Sequence, residues 1–170
     1  MNGFSSKNEY LGKLAFILHA HLPYVRKNEE NSLEEDWFFQ AILECYIPLL
    51  STLENVSKQN PNNAKLTLSL SPTLLSLLDS SQLKDKFPNW INTRISFLNE
   101  LSGEQKIASE YLLKTLEAKL LFWEECSGDL IKKFKKLSLI GSLDIITCAA
   151  THGYLPILRE RPETVVGQIK

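Results

Sequence analysis

Three histidines stand in the 170-residue chain, and each lies at or just past the end of a short apolar run. His19 and His21 lie in Leu18-His19-Ala20-His21-Leu22-Pro23-Tyr24. His152 lies in Ala149-Ala150-Thr151-His152-Gly153-Tyr154. An imidazole can bind a metal, or donate to and accept from hydroxyl groups. The His-x-His spacing puts two rings on one side of an extended segment. A third ring from a neighbouring strand end completes a set that a metal-dependent hydrolase or deacetylase would use. No carboxylate ligand accompanies them, because Glu34, Glu35 and Asp36 read as first-turn helix charges that suit the helix dipole. The same rings suit polar substrate binding, as on sugar hydroxyls, with Tyr24, Trp37 and Tyr154 as stacking surfaces nearby. For Trp37 and Tyr154 ordinary core or rim packing is the simpler reading. A purely structural role for all three histidines is the remaining option. Nucleophilic triads find no support, since the chain has neither a Gly-x-Ser-x-Gly elbow nor a glycine-rich phosphate loop.

The elements around these residues predict where they sit. Residues 14–18 form an apolar run without helical period, which suits a strand buried on both faces. Pro23 ends it and leaves His19 and His21 at or just past its C-terminal end. A polar loop over 27–33 leads to Ser32 and Glu35, spaced as a capping box. Apolar residues at Phe38, Ala41, Ile42, Cys45, Leu49, Leu53 and Val56 predict a helix, and Pro48 predicts a kink or break near Ile47. Residues 60–63 read as a turn. Residues 66–70 alternate apolar and hydroxyl side chains and form a second strand. Ser71-Pro72 then caps a short helix that runs through Leu78. Further helices are predicted over 88–101, with Pro88 near the start, and over 104–137, with Gly128 as an interruption. Gly141-Ser142 precedes a third strand over 143–148 that leads to His152, and 163–170 begins a helix. Strands alternating with helices predict an α/β fold with a parallel sheet. Such folds bind ligands at the C-terminal strand ends, where all three histidines fall.

Bulk properties narrow the classes. A length of 170 residues at 44% apolar content supports one domain. A net charge of -1 gives no electrostatic footprint for nucleic acid. The run Lys132-Lys133-Phe134-Lys135-Lys136 reads as the solvated end of a helix. No apolar run reaches the roughly 20 residues of a membrane span, and the polar N-terminus does not read as a signal peptide. Cys45, Cys126 and Cys148 are widely spaced among apolar neighbours, which predicts buried free thiols and a cytoplasmic protein.

The stretch Leu18-His19-Ala20-His21-Leu22-Pro23-Tyr24-Val25-Arg26 resembles the first conserved region of glycoside hydrolase family 57, in the variant of its 1,4-α-glucan branching enzymes. Glu34-Glu35-Asp36-Trp37 and Tyr46-Ile47-Pro48-Leu49-Leu50 resemble the helix that follows. Leu143-Asp144-Ile145-Ile146-Thr147-Cys148-Ala149-Ala150-Thr151-His152-Gly153-Tyr154-Leu155-Pro156 resembles the second conserved region. The resemblance runs from about Leu14 to the end and is least distinctive between 72 and 140. It implies the N-terminal portion of a (β/α)7 barrel, an incomplete relative of the eight-fold barrel. It also implies retaining chemistry on α-glucans with no metal or cofactor, using two carboxylates about 5 Å apart. The glutamate nucleophile and aspartate acid/base are expected beyond Lys170, so no residue of this chain is assigned a catalytic role. Asp144 lies near the start of its strand, away from the rim. By the resemblance, His19 and His152 line the subsite of the transferred sugar, with His21 and Tyr24 as further substrate-binding residues. The loop Asn28-Glu29-Glu30-Asn31-Ser32-Leu33 departs from the aromatic, proline and glycine stretch frequent in branching enzymes.

The expectation is therefore a polar extension over 1–13 and a partial catalytic domain over 14–170, inactive alone. Its expected partners are an α-glucan polysaccharide or oligosaccharide and the remaining part of the barrel, with neither nucleic acid nor membrane. A metal-dependent hydrolase built on the three histidines, and a non-catalytic glucan-binding or vestigial domain, are the alternatives.

Overall fold

Residues 14–25, 32–60 and 65–170 are described by the computed structural model. The expected 1–13 extension, most of the 27–33 loop and most of the 60–63 turn lie outside them. Strands β1 (Ile17–Ala20), β2 (Leu66–Leu70) and β3 (Leu143–Ile146) lie side by side in chain order, and both pairings are parallel. The register aligns His19 with Ser69, and Ser69 with Ile146. Successive side chains point to opposite faces of a strand. One face therefore carries Leu18, Ala20, Leu66, Leu68, Leu70, Leu143 and Ile145. The opposite face carries Ile17, His19, Thr67, Ser69, Asp144 and Ile146.

The helices that precede the third strand pack on the apolar face. Between β1 and β2 run α1 (Leu33–Ala41), a π-helical turn (Ile42–Tyr46) and α2 (Ile47–Gln59). Between β2 and β3 run α3 (Pro72–Asp79), α4 (Ser81–Asn99), α5 (Glu104–Glu125) and α6 (Leu130–Leu139), and α7 (Leu155–Leu158) and α8 (Pro162–Ile169) follow β3. Leu68, Leu70 and Leu143 join Phe38, Ile42, Leu50, Leu74, Phe87, Leu130 and Phe134 in one buried cluster. The expectation that residues 14–18 are buried on both faces is not met. Phe16 is 60% exposed and Ile17 65%. The physical reason is position: β1 is an edge strand, and the helices of the described residues cover one face of the sheet only.

The irregularity expected near Ile47 is present, since α1 gives way to the π-helical turn and α2 begins at Ile47, just before Pro48. Its ring would collide with the carbonyl four residues back and removes one hydrogen bond. The preceding turn widens instead, with the Ile47 N–H donating to the Ile42 carbonyl, and the helix continues. Two other expectations are corrected. Pro88 lies inside α4 rather than at its start, because Leu83, Phe87 and Ile91 share a buried face that begins well before it. The thiols are not all buried: Cys45 is exposed, and Cys126 and Cys148 are partly buried. Burial pushes the Cys126 thiol up from its ordinary value.

The interruption expected at Gly128 is present, separating α5 from α6. Gly128 has φ +68, and a Cβ there would lie 2.9 Å from the Trp123 ring. Gly141 has φ +76 but open space around it. Gly141→Ala is therefore expected to cost about 1 kcal/mol from backbone conformation alone. Gly128→Ala is expected to cost at least ~2 kcal/mol, since a ring that is 4% exposed must also move. Urea unfolding of the two variants separates the terms, and equal midpoints would mean that Trp123 does not press on Gly128.

Candidate functional site

β1 ends at Ala20, and the chain turns through His21 toward the buried Leu22 and Val25. β2 ends at Leu70, after which Ser71 caps α3 with its hydroxyl, accepting from the Leu74 N–H at 3.2 Å. Proline at the next position suits the first turn of α3, where its missing N–H costs nothing. β3 ends at Ile146 and leads into the turn that carries His152. Its N–H donates to the Ala149 carbonyl at 2.8 Å, and its φ is +60. A non-glycine residue in this region is uncommon and must be held there by its surroundings. The C-terminal helix supplies that hold. The Ala150 N–H donates to the Gln168 carbonyl at 2.9 Å, and the Thr151 N–H donates to the Gln168 side-chain oxygen at 3.0 Å. α8 thus clamps the turn from behind.

The three histidines meet as the strand-end argument predicts. His19 Nε2 lies 3.2 Å from His152 Nε2. Ring centroids are 4.6 Å apart for His19 and His152, 4.2 Å for His21 and His152, and 6.1 Å for His19 and His21. In the neutral state one nitrogen of the His19–His152 contact carries a proton and the other accepts it, so the two rings hold complementary tautomers. His21 Nδ1 is turned to the Ser71 hydroxyl at 2.9 Å. Burial, followed by the neighbouring His152 and His19, pushes the His21 pKa below its ordinary value. A second cation beside it is thereby disfavoured, and the ring stays neutral further into the acid range. Among the described residues no group of three or more His, Cys, Asp or Glu side chains is arranged to hold a metal ion.

Beside the cluster runs an open groove of about 510 Å³, lined by His21, Pro23, Tyr24, Pro72, Thr73 and Ala150 among others. Tyr24, 60% exposed, is one of the residues that line this groove. Thr73 lies behind, its hydroxyl donating to the Ala150 carbonyl at 3.4 Å. Trp37 and Tyr154 are also exposed, at 54% and 68%, but neither lines the groove. Neither is packed in the core. Asp144 pairs in register with Thr67, toward the N-terminal end of the sheet and away from the histidines. Ser71 is the site residue that pattern reading missed as such. It was legible as a helix cap, yet it also follows directly on a strand end, the same position that singles out the histidines.

The acidic first turn of α1 does more than complement a helix dipole. Ser32 accepts from the Glu35 N–H, which is half of the expected capping box. The Glu35 carboxylate does not complete it but binds Lys86 Nζ on α4 at 2.8 and 3.0 Å. Asp36 accepts from Trp90 Nε1 at 2.7 Å and from Arg94, whose guanidinium lies 3.5 Å over the Trp90 ring. These bonds tie the start of α1 to α4.

Rings gathered over the carboxyl ends of parallel strands, next to a groove with an aromatic wall, follow the general plan of α/β proteins that bind ligands at that edge. The family model for Glycosyl hydrolase family 57 matches residues 15–170, and the chain belongs to that family. It is 35% identical over 161 residues to a 1,4-alpha-glucan branching enzyme of Thermococcus kodakarensis, covering 93% of this chain and 24% of that protein. The crystal structure of a family 57 branching enzyme from Pyrococcus horikoshii superposes with a TM-score of 0.85 at 32% identity, covering 93% of this chain and 30% of that one. The α-amylase AmyC of Thermotoga maritima superposes with a TM-score of 0.84 at 33% identity, covering 93% and 31% respectively. The chain thus spans about a quarter of the length of the curated branching enzyme it matches. No helix of the described residues is long and apolar enough to cross a membrane.

Proposed function

We propose that this chain forms the histidine-bearing part of an α-glucan site in a cytoplasmic retaining enzyme of family 57, most akin to a 1,4-α-glucan branching enzyme. The observation that carries the reading is the contact of His19, His21 and His152 over the strand ends, in a chain of this family. The domain over 14–170 supplies the first strands of a (β/α)7 barrel. Parallel strands adjacent in chain order support that progression, since a doubly wound sheet reverses order instead. His19 and His152 face the sugar to be transferred, His21 hydrogen-bonds a hydroxyl, and Tyr24 offers a stacking surface in the adjoining groove. A relative supports the substrate class: a branching enzyme from Thermococcus kodakarensis, 34% identical, was crystallised in complex with glucose.

The chemistry of a retaining glycosidase needs two carboxylates on opposite sides of the scissile bond. On this reading the nucleophile and acid/base fall in the part of the relatives' length that this chain does not span. Binding without turnover is therefore the expected behaviour of residues 1–170. Titration with maltotriose should move the histidine resonances in 1H–15N spectra. His19→Ala and His152→Ala should each weaken binding at least about tenfold, the worth of one lost hydrogen bond to a desolvated partner. Amylose should be neither branched nor cleaved. Stoichiometric zinc without any response to maltotriose would replace this reading with the metal-dependent hydrolase. Turnover of amylose would overturn the placement of the carboxylates.

A further inference from the structure

We infer that Ser71 is a positioning residue that holds His21 in its Nε2–H tautomer, so that the ring turns an N–H donor away from Ser71 and toward the ligand. A serine hydroxyl has one proton to give and two lone pairs to receive. The Leu74 N–H occupies one lone pair at 3.2 Å, as the cap of α3 requires. Ser71 is 0% exposed, so no solvent competes for its proton. Among the described residues its remaining hydrogen-bond partner is His21 Nδ1 at 2.9 Å. If Nδ1 carried the proton, the Ser71 proton would be buried without an acceptor, at a cost of about 1–3 kcal/mol. With Nδ1 as acceptor every group is satisfied. The neutral ring must then carry its proton on Nε2, the nitrogen opposite the serine. The cap and the tautomer are thus set by one atom, and the direction of α3 fixes the ring.

The assignment predicts an inversion that a merely structural cap cannot produce. Aspartate is as good a cap as serine but only accepts when ionised. Ser71→Asp should therefore keep α3 and force His21 to the Nδ1–H tautomer, whereas Ser71→Thr should preserve the native state. Long-range 1H–15N spectra of the labelled chain read the tautomer directly. The native protein and Ser71→Thr should show an unprotonated Nδ1, and Ser71→Asp a protonated one. Ser71→Ala should show a mixture, and if it fails to fold the aspartate variant still decides. A native Nδ1–H signal, or identical spectra for the native protein and Ser71→Asp, would overturn the assignment.

The identity of the ligand rests on the α-glucan reading above, and a second arm separates the two. Maltotriose affinity should fall about tenfold in Ser71→Asp and not in Ser71→Thr, which corresponds to one reversed hydrogen bond. Tautomers as expected with no maltotriose binding in any variant would remove the α-glucan reading and leave the role of Ser71 standing. Binding that is equal in all variants would show that His21 does not donate to the sugar.

Discussion

Phe87→Ala is expected to lower the unfolding free energy by about 3–5 kcal/mol, the upper range for truncating a buried ring. Phe87 is 0% exposed. Its ring centroid lies 4.4 Å from that of Trp123 on α5, 5.9 Å from Trp90 on its own helix and 6.0 Å from Phe39 on α1. One side chain thus joins three helices. The void left by alanine cannot close easily, because its walls are held from elsewhere. Trp90 is bonded to Asp36 and covered by Arg94, and Trp123 packs against Gly128. A cavity with fixed walls carries both the lost transfer energy and the lost contacts. Phe87→Leu refills much of the volume and should lose markedly less. Urea unfolding at unchanged m-value is the check. A loss below about 1 kcal/mol for Phe87→Ala would mean that the three helices are not held by this ring.

How far the fold was legible follows from where each signal lives. β2 was readable to the residue, because its alternation and the Ser71-Pro72 start of α3 are both local. β1 was readable as a strand, but not its exposure, which depends on which neighbours flank it. α4 was mis-bounded because a proline rule competed with a buried face formed by Leu83, Phe87 and Ile91, and tertiary packing won. The π-helical turn before Pro48 was readable as a defect near Ile47, but not in its form. The rule announces a defect, and whether the helix breaks or widens depends on the layer it packs against.

The site divides the same way. The histidines were findable because strand ends are where parallel folds place ligands, and all three lie there. The partner of His21 was not findable, since Ser71 is 50 residues away in sequence. The same holds for the ion pairs of α1, whose partners lie 51 and 58 residues on. Local pattern reveals caps and periods. It does not reveal which cap doubles as a tautomer lock, nor which first-turn glutamate abandons its own helix for a lysine on another.

That last choice carries the second large expected effect. Lys86→Met should destabilise the chain by about 3 kcal/mol, through the carboxylate it leaves behind rather than the cation it removes. The Glu35 side chain is 3% exposed, while that of Lys86 is 30% exposed. Lysine alone would tolerate loss of its partner by reaching for water. Glu35 cannot, so its charge would remain buried with its main donor gone. The 30% exposure of Lys86 admits some water to the vacancy, which places the expected cost at the lower end of the range for broken buried pairs. Glu35→Gln combined with Lys86→Met removes both charges and should recover most of the loss, because a neutral amide is far cheaper to bury. A double-mutant cycle by urea unfolding measures the difference. Additive losses would mean the pair is solvated and holds nothing. The coupling can also be read at the site, since Glu35 lies on α1, the first helix after the strand that ends at the histidines. If the placement of α1 bears on the histidines, Lys86→Met should broaden the His21 signal under conditions where the chain is still folded, and the double variant should sharpen it again. Stability recovered without recovery of that signal would show that the pair supports the helices but does not position the site.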